Sequence, residues 1–149
     1  MTRKIITYKD DDSAILFNSS EKIAVFNANF QREVEELKEF FLSLEDALGL
    51  AAPQVGIKKA ICVVRLKKGV EVLCNPEIIT QSQEKETMEE GCLSFPNIFL
   101  QISRAKKIEV IYQNKLGKKK KFQAEGLEAR VLQHEIDHLN GVVFVDKKR

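Results

Sequence analysis

Histidine and cysteine are scarce in this sequence, and long apolar runs are missing from it. The 149 residues include two histidines and three cysteines. Three widely spaced cysteines, at Cys62, Cys74 and Cys92, do not fit a disulfide framework and favour a reducing compartment. The N-terminal segment lacks the apolar stretch of a signal peptide, and no window approaches the ~20 apolar residues that a membrane-spanning helix needs. We therefore expect a cytoplasmic protein without a membrane segment.

A large excess of charge of one sign is also missing. Lysine and arginine number 24 against 22 aspartates and glutamates, which gives a formal net charge of +2. This balance is too even to predict DNA binding. One local exception is the run Lys118-Lys119-Lys120-Lys121, which Phe122 follows. Such a run is typical of a solvated strand edge, where lysines discourage aggregation, and the alternative is weak contact with a polyanion such as ribosomal RNA.

Length and composition predict a single domain over residues 1–149. With 44% hydrophobic residues, the chain has enough apolar surface for a core of its own. Apolar residues at three- and four-residue spacing predict an N-terminal amphipathic helix over 29–47. Alternating and β-branched segments predict antiparallel strands. The predicted strands span 60–66, 70–74, 78–88, 98–102, 108–113, 118–123 and, at the end of the chain, 142–145.

Both histidines lie in one short segment, 134–138, which reads His-Glu-Ile-Asp-His. Helical periodicity returns over 125–140. On a helix, residues four apart project from the same face, so His134 and His138 can reach one divalent ion while Glu135 leans toward its open side. The pattern predicts two metal ligands and an acid/base residue. The economical architecture is an α+β fold in which antiparallel β-sheets pack around this metal-binding HExxH helix.

A catalytic metal site needs a third protein ligand beside the two histidines, with one position left for water. Cys62 and Cys74 occur in alternating strand patterns, where a thiol behaves as a small hydrophobic side chain. Cys92 differs, because Gly91 and Pro96 interrupt regular strand pairing around it. Its sulfur and the next backbone N–H can then turn toward one point. Cys92 is therefore the candidate third ligand.

Three segments of the chain together resemble a known family. They read ALGLAAPQ at 47–54, EGCLS at 90–94 and QHEIDHLNG at 133–141. Their sequences, order and separation are similar to the three signature motifs of the peptide deformylase family, and the likeness runs from about Phe30 to Asp146. The resemblance implies an enzyme that removes the formyl group from N-formylmethionyl nascent peptides and releases formate.

The resemblance also implies a mononuclear metal site. Cys92, His134 and His138 would hold one divalent ion, Fe²⁺ in typical members, with Zn²⁺, Ni²⁺ and Co²⁺ as alternatives for the same ligands. The chemistry of these donors agrees with that assignment. One thiolate and two neutral imidazoles leave a net positive charge at a divalent ion, which acidifies a bound water.

Catalytic and binding roles follow from the same resemblance. An activated water attacks the formyl carbon, and Glu135 passes the water proton to the leaving amine. The Gln54 side-chain amide and the Leu93 backbone N–H donate to the developing oxyanion. Gly49 presents backbone hydrogen bonds to the peptide, and Gly91 lies in the substrate-binding surface.

Three features depart from the family pattern. Ala47 replaces the first glycine of the first motif, and its methyl group is expected to affect the loop backbone. Phe99 stands where many bacterial members have an arginine, so we expect a more apolar substrate pocket that disfavours an acidic residue after methionine. The chain extends eight residues past Gly141 (149 − 141), and we expect it to lack the C-terminal helix with which many bacterial relatives dock on the ribosome.

Two nearby carboxylates lie outside this set of ligands and catalytic groups. Glu90 is expected to fix the strand of Cys92 through hydrogen bonds. Asp137 either pairs with a basic residue such as Arg104 or is a helix-surface carboxylate.

Two other functions compete with deformylation, and all three are compatible with an expected monomer. An HExxH zinc peptidase would need a third ligand downstream of the helix, where only Asp146 follows Asn140. A binding module, which keeps the metal for stability or docks through the lysine run, would not need Glu135 or Gln54. Formyl-Met-Ala-Ser distinguishes the three, because a deformylase releases formate, a peptidase releases shorter peptides and a binding module releases neither.

Overall fold

The structure, a computed structural model that describes residues 3–147, consists of two antiparallel sheets and two α-helices. In chain order the elements are α1 (Ala28–Leu42), β1 (Gly49–Ala51), β2 (Ile61–Leu66), β3 (Gly69–Gln81), β4 (Lys85–Cys92), β5 (Phe95–Ala105), β6 (Lys107–Gln113), β7 (Lys119–Glu125) and α2 (Leu127–Leu139). One sheet has the strand order β1-β2-β3-β6-β7, and β4 and β5 form a separate hairpin. The predicted α+β class with antiparallel sheets is confirmed.

The five-stranded sheet is covered by one helix on each face. Cys62 of β2 packs in a cluster with Leu132 of α2, whereas Val63, the next residue along the strand, packs with Leu37 of α1. Successive strand residues point to opposite faces, so α1 and α2 sandwich β2. Cys62 and Cys74 are fully buried free thiols in these two clusters, consistent with their packing as small hydrophobic side chains.

Helix α1 begins at a capping residue and ends earlier than the sequence pattern predicts. The Asn27 side chain accepts a hydrogen bond from the amide of Phe30 at 2.9 Å, which satisfies one of the free donors of the first turn. The predicted continuation over 43–47 is wrong, because this segment turns toward β1. The Arg65 amide of β2 donates to the carbonyl of Leu48 at 2.8 Å, which anchors the chain just after this segment.

The predicted strand at 78–88 is wrong in its continuity. Residues 82–84 separate the end of β3 from the start of β4, and here the chain leaves the sheet for the hairpin. The break has its own hydrogen bonds, because the Ser82 hydroxyl donates to the carbonyl of Glu84 at 2.8 Å and accepts from the amide of Lys107 at 3.0 Å. Two strands in different sheets result.

The predicted strand at 142–145 is also wrong, because a 3₁₀ helix spans Phe144–Lys147. Val143 and Phe144 are buried against Phe95 and Ile102 of the hairpin instead of pairing with a strand. A short apolar run does not distinguish a strand from a turn that buries two side chains. No helix within 3–147 has the length and apolar character needed to cross a membrane.

Candidate metal and catalytic site

A cavity of about 440 Å³ opens between the hairpin, the loop that leads into β1 and helix α2. Its apolar lining includes Leu48, Leu93, Phe95, Ile98, Phe99 and Leu127. Gln54, Cys92, His134 and Glu135 supply polar groups at the same cavity. Three segments that are distant in sequence therefore converge at a cleft whose surface is mainly apolar, which is the usual character of a small-molecule or peptide site.

The three predicted metal ligands lie together. Cys92 ends β4, and His134 and His138 are one turn apart on α2. One donor atom from each lies within 4.8 Å of the others, and the Cys92 Sγ is 3.3 Å from the His138 Nε2. Sulfur and nitrogen ligands of one tetrahedral ion are about 3.5 Å apart, given metal–ligand bonds of about 2.0–2.3 Å. The donor set and its spacing therefore fit one divalent ion.

Glu135 is a buried carboxylate beside this cluster. Its side chain is on α2, the residue is 4% exposed, and its Oε1 has no hydrogen-bond partner in the described part of the chain. Burial raises the pKa of Glu135 to about 7, against the opposing effect of His134. A carboxyl group with a pKa near neutrality both accepts and returns a proton readily, which suits a general acid/base.

A glycine is needed at position 49 because a side chain would not fit there, and not because of the backbone conformation. A Cβ at Gly49 would lie 2.5 Å from the Glu135 Oε2 and 2.8 Å from its Cγ, whereas the φ of Gly49 is not positive. Ala47, the departure from the family motif, likewise does not adopt a positive φ. Its carbonyl accepts a hydrogen bond from the Arg65 Nε at 3.1 Å, so the loop accommodates the extra methyl group while remaining anchored to β2.

The Gln54 side chain is oriented by hydrogen bonds at both ends of its amide. The amide of Ala51 donates to its Oε1 at 2.9 Å, which leaves the NH₂ group facing the hairpin. There the Gln54 Nε2 donates to the Ser94 Oγ at 3.1 Å and lies 3.7 Å from the Cys92 Sγ. Leu93 occupies the turn between the paired residues Cys92 and Phe95, outside the strand ladder. Both predicted oxyanion donors therefore belong to the surroundings of the Cys92 sulfur.

An N-terminal segment with no recognisable motif connects the Gln54 region to the hairpin turn. The Ile6 amide donates to the Gln54 carbonyl at 2.7 Å, and the Tyr8 amide donates to the Ser94 carbonyl at 2.9 Å. The Tyr8 ring also stacks on Phe95, with 5.3 Å between ring centroids. Isolated backbone hydrogen bonds from a segment without regular secondary structure leave no pattern in the sequence. The hydrogen bond from Gln54 to the Ser94 hydroxyl likewise could not be predicted from spacing.

Glu90 is the centre of a buried charged network. It is 7% exposed, and Arg104 donates to both of its oxygens, at 2.5 Å and 2.9 Å. Arg130 also donates to it, and His134 contacts its Oε1 through Nδ1 at 3.1 Å. Burial acts to raise the pKa of Glu90, but hydrogen bonds from His134 and Arg104 outweigh it and lower the pKa to about 2. An ionised Glu90 accepts a hydrogen bond from the His134 Nδ1–H, which leaves Nε2 as the ligand atom.

Asp137 belongs to the same network. The Arg104 Nη1 donates to its Oδ2 at 2.9 Å, so the pairing alternative holds and the isolated surface carboxylate does not.

Phe99 lies at the rim of the cleft with 62% of its surface exposed, and its ring passes over Gly91, where a Cβ would be 2.8 Å from the Phe99 Cε1. Gly91 and Phe99 both line the cavity.

Sequence comparison identifies the family to which this site belongs. The family model described as polypeptide deformylase matches residues 2–149. The chain belongs to the polypeptide deformylase family. The peptide deformylase of Thermotoga maritima is 43% identical over 133 residues, which cover 89% of this chain and 80% of that relative. The family resemblance inferred from the three motifs is confirmed.

Solved structures of deformylases have the same fold. The crystal structure of peptide deformylase from Thermotoga maritima superposes with a TM-score of 0.92 at 40% identity, covering 100% of this chain and 99% of that one. Peptide deformylase from Synechococcus elongatus in complex with actinonin gives a TM-score of 0.90 at 35% identity, covering 99% and 79%. The chain is an enzyme of the deformylase type, whose reaction is the removal of the N-formyl group from nascent peptides.

Proposed function

We propose that this deformylase acts by metal-assisted hydrolysis, with Cys92, His134 and His138 holding one divalent ion. The observation that carries the proposal is the convergence of these three donors within 4.8 Å beside the buried carboxylate of Glu135. When bound, the ion supplies Lewis-acid activation of water. We propose Fe²⁺ as the native ion because it is typical of the family, and the same ligands also accept Zn²⁺, Ni²⁺ or Co²⁺.

The residues of the chain then divide the work of hydrolysis. Glu135 accepts a proton from the attacking water and delivers it to the nitrogen of the leaving amine, as its raised pKa allows. The Gln54 Nε2 and the Leu93 backbone N–H donate to the formyl oxygen as negative charge develops there. Support for this pair comes from the fixed amide of Gln54 and from the position of Leu93 in the hairpin turn.

We further propose that the peptide lies along β1 and that its methionine side chain enters the apolar cleft. β1 is an edge strand of its sheet, and Gly49 lines the cavity, so backbone groups at this edge are available to an extended peptide. Gly91 and Phe99 would contact the residue that follows methionine. An exposed phenyl ring offers no partner to a carboxylate, so an acidic second residue should be disfavoured.

The test is formate release from formyl-Met-Ala-Ser by protein purified without oxygen, with metal analysis of the same sample. We expect about one equivalent of metal and formate as the product. Gln54→Leu should retain its metal and lose about 10²–10³ in kcat, the usual cost of removing one oxyanion donor. Replacing the alanine of the substrate by aspartate should slow the wild-type enzyme. Metal-loaded protein that releases no formate, or that releases shorter peptides, would contradict the proposal.

The two competing functions have less support from the geometry. The metal-binding cluster among residues 3–147 joins Cys92 to the histidines and does not include Asp146, so the ligand set of an HExxH peptidase is not assembled. Glu135 and Gln54 both face the cleft, which a binding module would not require. We propose a single-domain monomer in the cytoplasm. Its exposed run 118–121 would provide at most a weak ribosome contact, as Lys121 already pairs with Glu109 at 3.1 Å.

A further inference from the structure

Helix α2 contacts the β4–β5 hairpin through a polar stripe. Its members are Arg130, Gln133, His134 and Asp137, which have the spacing of one helix face. Each makes a hydrogen bond to the hairpin through its side chain. A helix of a small domain usually docks through apolar residues. A docking surface made of these four polar side chains is therefore unusual, and its burial is favourable only because each side chain is paired.

Arg130 makes the most extensive contacts of the stripe. Its Nη1 donates to the Glu90 carboxylate and, at 3.0 Å, to the carbonyl of Ile102. Its Nη2 donates to the carbonyl of Glu86 at 2.6 Å. The residue is 5% exposed, so these bonds are shielded from water. One planar guanidinium therefore joins α2 to both strands of the hairpin and to the carboxylate that contacts His134.

The position of the hairpin matters because it carries Cys92. Within 3–147, β4 and β5 pair with each other and form no ladder with the five-stranded sheet. The distance from the Cys92 sulfur to the histidines on α2 is therefore set by how the hairpin docks on the helix. Glu90 lies two residues before Cys92 on β4, and its Oε1 contacts the His134 Nδ1.

Arg104 cannot replace Arg130 in this role. It lies on β5 and binds Glu90 on β4, so that ion pair lies within the hairpin. Its link to α2 runs through Asp137, and the Asp137 side chain is more solvent-accessible than that of Glu90. Glu90 is tied to the helix by Arg130 and by His134 itself.

We propose that Arg130 is a positioning residue for the metal site. It fixes the Glu90 carboxylate in the orientation that binds the His134 Nδ1, and it holds the strand of Cys92 against α2. This inference rests on the proposed metal site formed by Cys92, His134 and His138. Groups that orient the ligands of a metal typically contribute 10–100-fold to its affinity, so loss of the guanidinium should speed metal release by about that factor.

The experiment compares Arg130→Met with Gln133→Met in Co²⁺-loaded protein. Gln133 lies on the same stripe and donates to the Ala105 carbonyl at 2.9 Å, but it does not contact Glu90. Its replacement removes a helix–hairpin bond without disturbing the ligand network. The readouts are the rate of Co²⁺ release to a chelator, the cobalt–thiolate absorption band and the melting temperature of the metal-free protein.

We expect Arg130→Met to release Co²⁺ about 10–100-fold faster than wild type and to shift the thiolate band. Gln133→Met should release Co²⁺ at close to the wild-type rate even if its melting temperature falls equally. Arg130→Lys, which has one ammonium for three acceptors, should be intermediate. Equal release from Arg130→Met and Gln133→Met would overturn the inference, as would wild-type release from Arg130→Lys if the methionine variant does not fold. Wild-type protein without a cobalt–thiolate band would instead overturn the metal site itself.

Discussion

The two helices are similar in length and amphipathicity, but they bury different kinds of side chain. α1 has 15 residues and α2 has 13. The buried residues of α1 are all apolar, namely Phe30, Val34, Leu37 and Phe41. α2 also buries apolar residues, but with them it buries Arg130, Gln133, Glu135 and His138. Because burying a polar group costs free energy unless that group is paired, α1 buries side chains that favour stability, whereas α2 also buries polar groups that favour it less and for some of which we propose roles in catalysis.

The unpaired atoms of α2 show where that cost is concentrated. Within the described residues, the Glu135 Oε1 and the His138 Nδ1 are buried without a hydrogen-bond partner. Each unsatisfied buried polar group costs about 1–3 kcal/mol. By contrast, the polar stripe toward the hairpin is well paired, since Arg130 and Gln133 each reach backbone carbonyls. The unpaired Glu135 oxygen belongs to a side chain that lines the cleft, whereas the unpaired His138 Nδ1 is the ring nitrogen opposite the Nε2 that contacts the Cys92 sulfur.

The largest effect expected is that of Glu135→Gln on turnover. The amide keeps the size of the side chain but cannot accept and return a proton, so kcat for formate release should fall by about 10²–10⁴. The melting temperature should be unchanged or higher, because the amide carries no charge at a buried position where burial disfavours the charged carboxylate. Metal content should also remain. These quantities are measured by formate assay, thermal melting and metal analysis on one preparation.

Glu128→Gln is the matched control for that substitution. Glu128 lies in the first turn of the same helix and accepts from the Lys67 amide at 2.6 Å, and it is not part of the cleft lining. Its kcat should stay close to that of wild type because Glu128 lies outside the cleft lining, and its unfolding free energy should change by no more than about 0.5 kcal/mol. Turnover by Glu135→Gln within tenfold of wild type would show that the proton is transferred by another group.

Leu37→Ala tests the expectation that α1 contributes to stability and not to turnover. Leu37 is 0% exposed on α1, so its truncation should cost about 2–5 kcal/mol of unfolding free energy. The folded fraction should keep the kcat of wild type, because α1 lies across the sheet from α2. Urea denaturation and a formate assay at equal folded protein measure the two quantities.

Leu132→Ala sharpens the same contrast. Leu132 is also 0% exposed but lies on α2, two residues before His134. A similar stability loss should here be accompanied by reduced turnover, since a cavity beneath the helix allows the ligands to shift. If Leu37→Ala reduced kcat as much as Leu132→Ala, the division between the two helices would not hold.

An element could be predicted from the sequence where the residue pattern that defines it lies within the element itself. The apolar spacing within α2 and the glycine turn between β2 and β3 are local, so those elements could be placed from pattern alone. β1 was missed because Gly49 and Ala51 have little strand propensity, and they form a strand only by pairing with β2. The segment 142–145 was assigned to a strand because no local signal shows whether a partner edge is available.

The same distinction applies to the site. The proximity of His134, Glu135 and Cys92 could be predicted because motif spacing and resemblance point to these residues. Arg130 was missed because a polar residue on an amphipathic helix normally faces water, and its partner Glu90 is 40 residues away in sequence. A polar stripe at helical spacing, lying beside an apolar one, was the available signal.

The smallest effect expected is that of Gly49→Ala, which acts where the two regions meet. Gly49 precedes Leu50 in the cluster packed on α1, and its Cα faces the carboxylate of Glu135 on α2. The added Cβ would meet the Glu135 Oε2 at 2.5 Å, so the carboxylate must move. A displacement of about 1 Å at a reacting group can cost up to 10²-fold, and we expect kcat/KM to fall by about 10–100-fold with metal retained.

Ala47→Gly provides the control for Gly49→Ala, because it changes the same loop and restores the glycine of the family motif. Ala47 does not adopt a positive φ, so removing its methyl group should leave kcat/KM within about twofold of wild type. Unchanged activity in Gly49→Ala would mean that the Glu135 carboxylate has room to adjust without loss of function. The close packing of this carboxylate against β1 would then be incidental, and α2 alone would determine the position of the proton-transferring group.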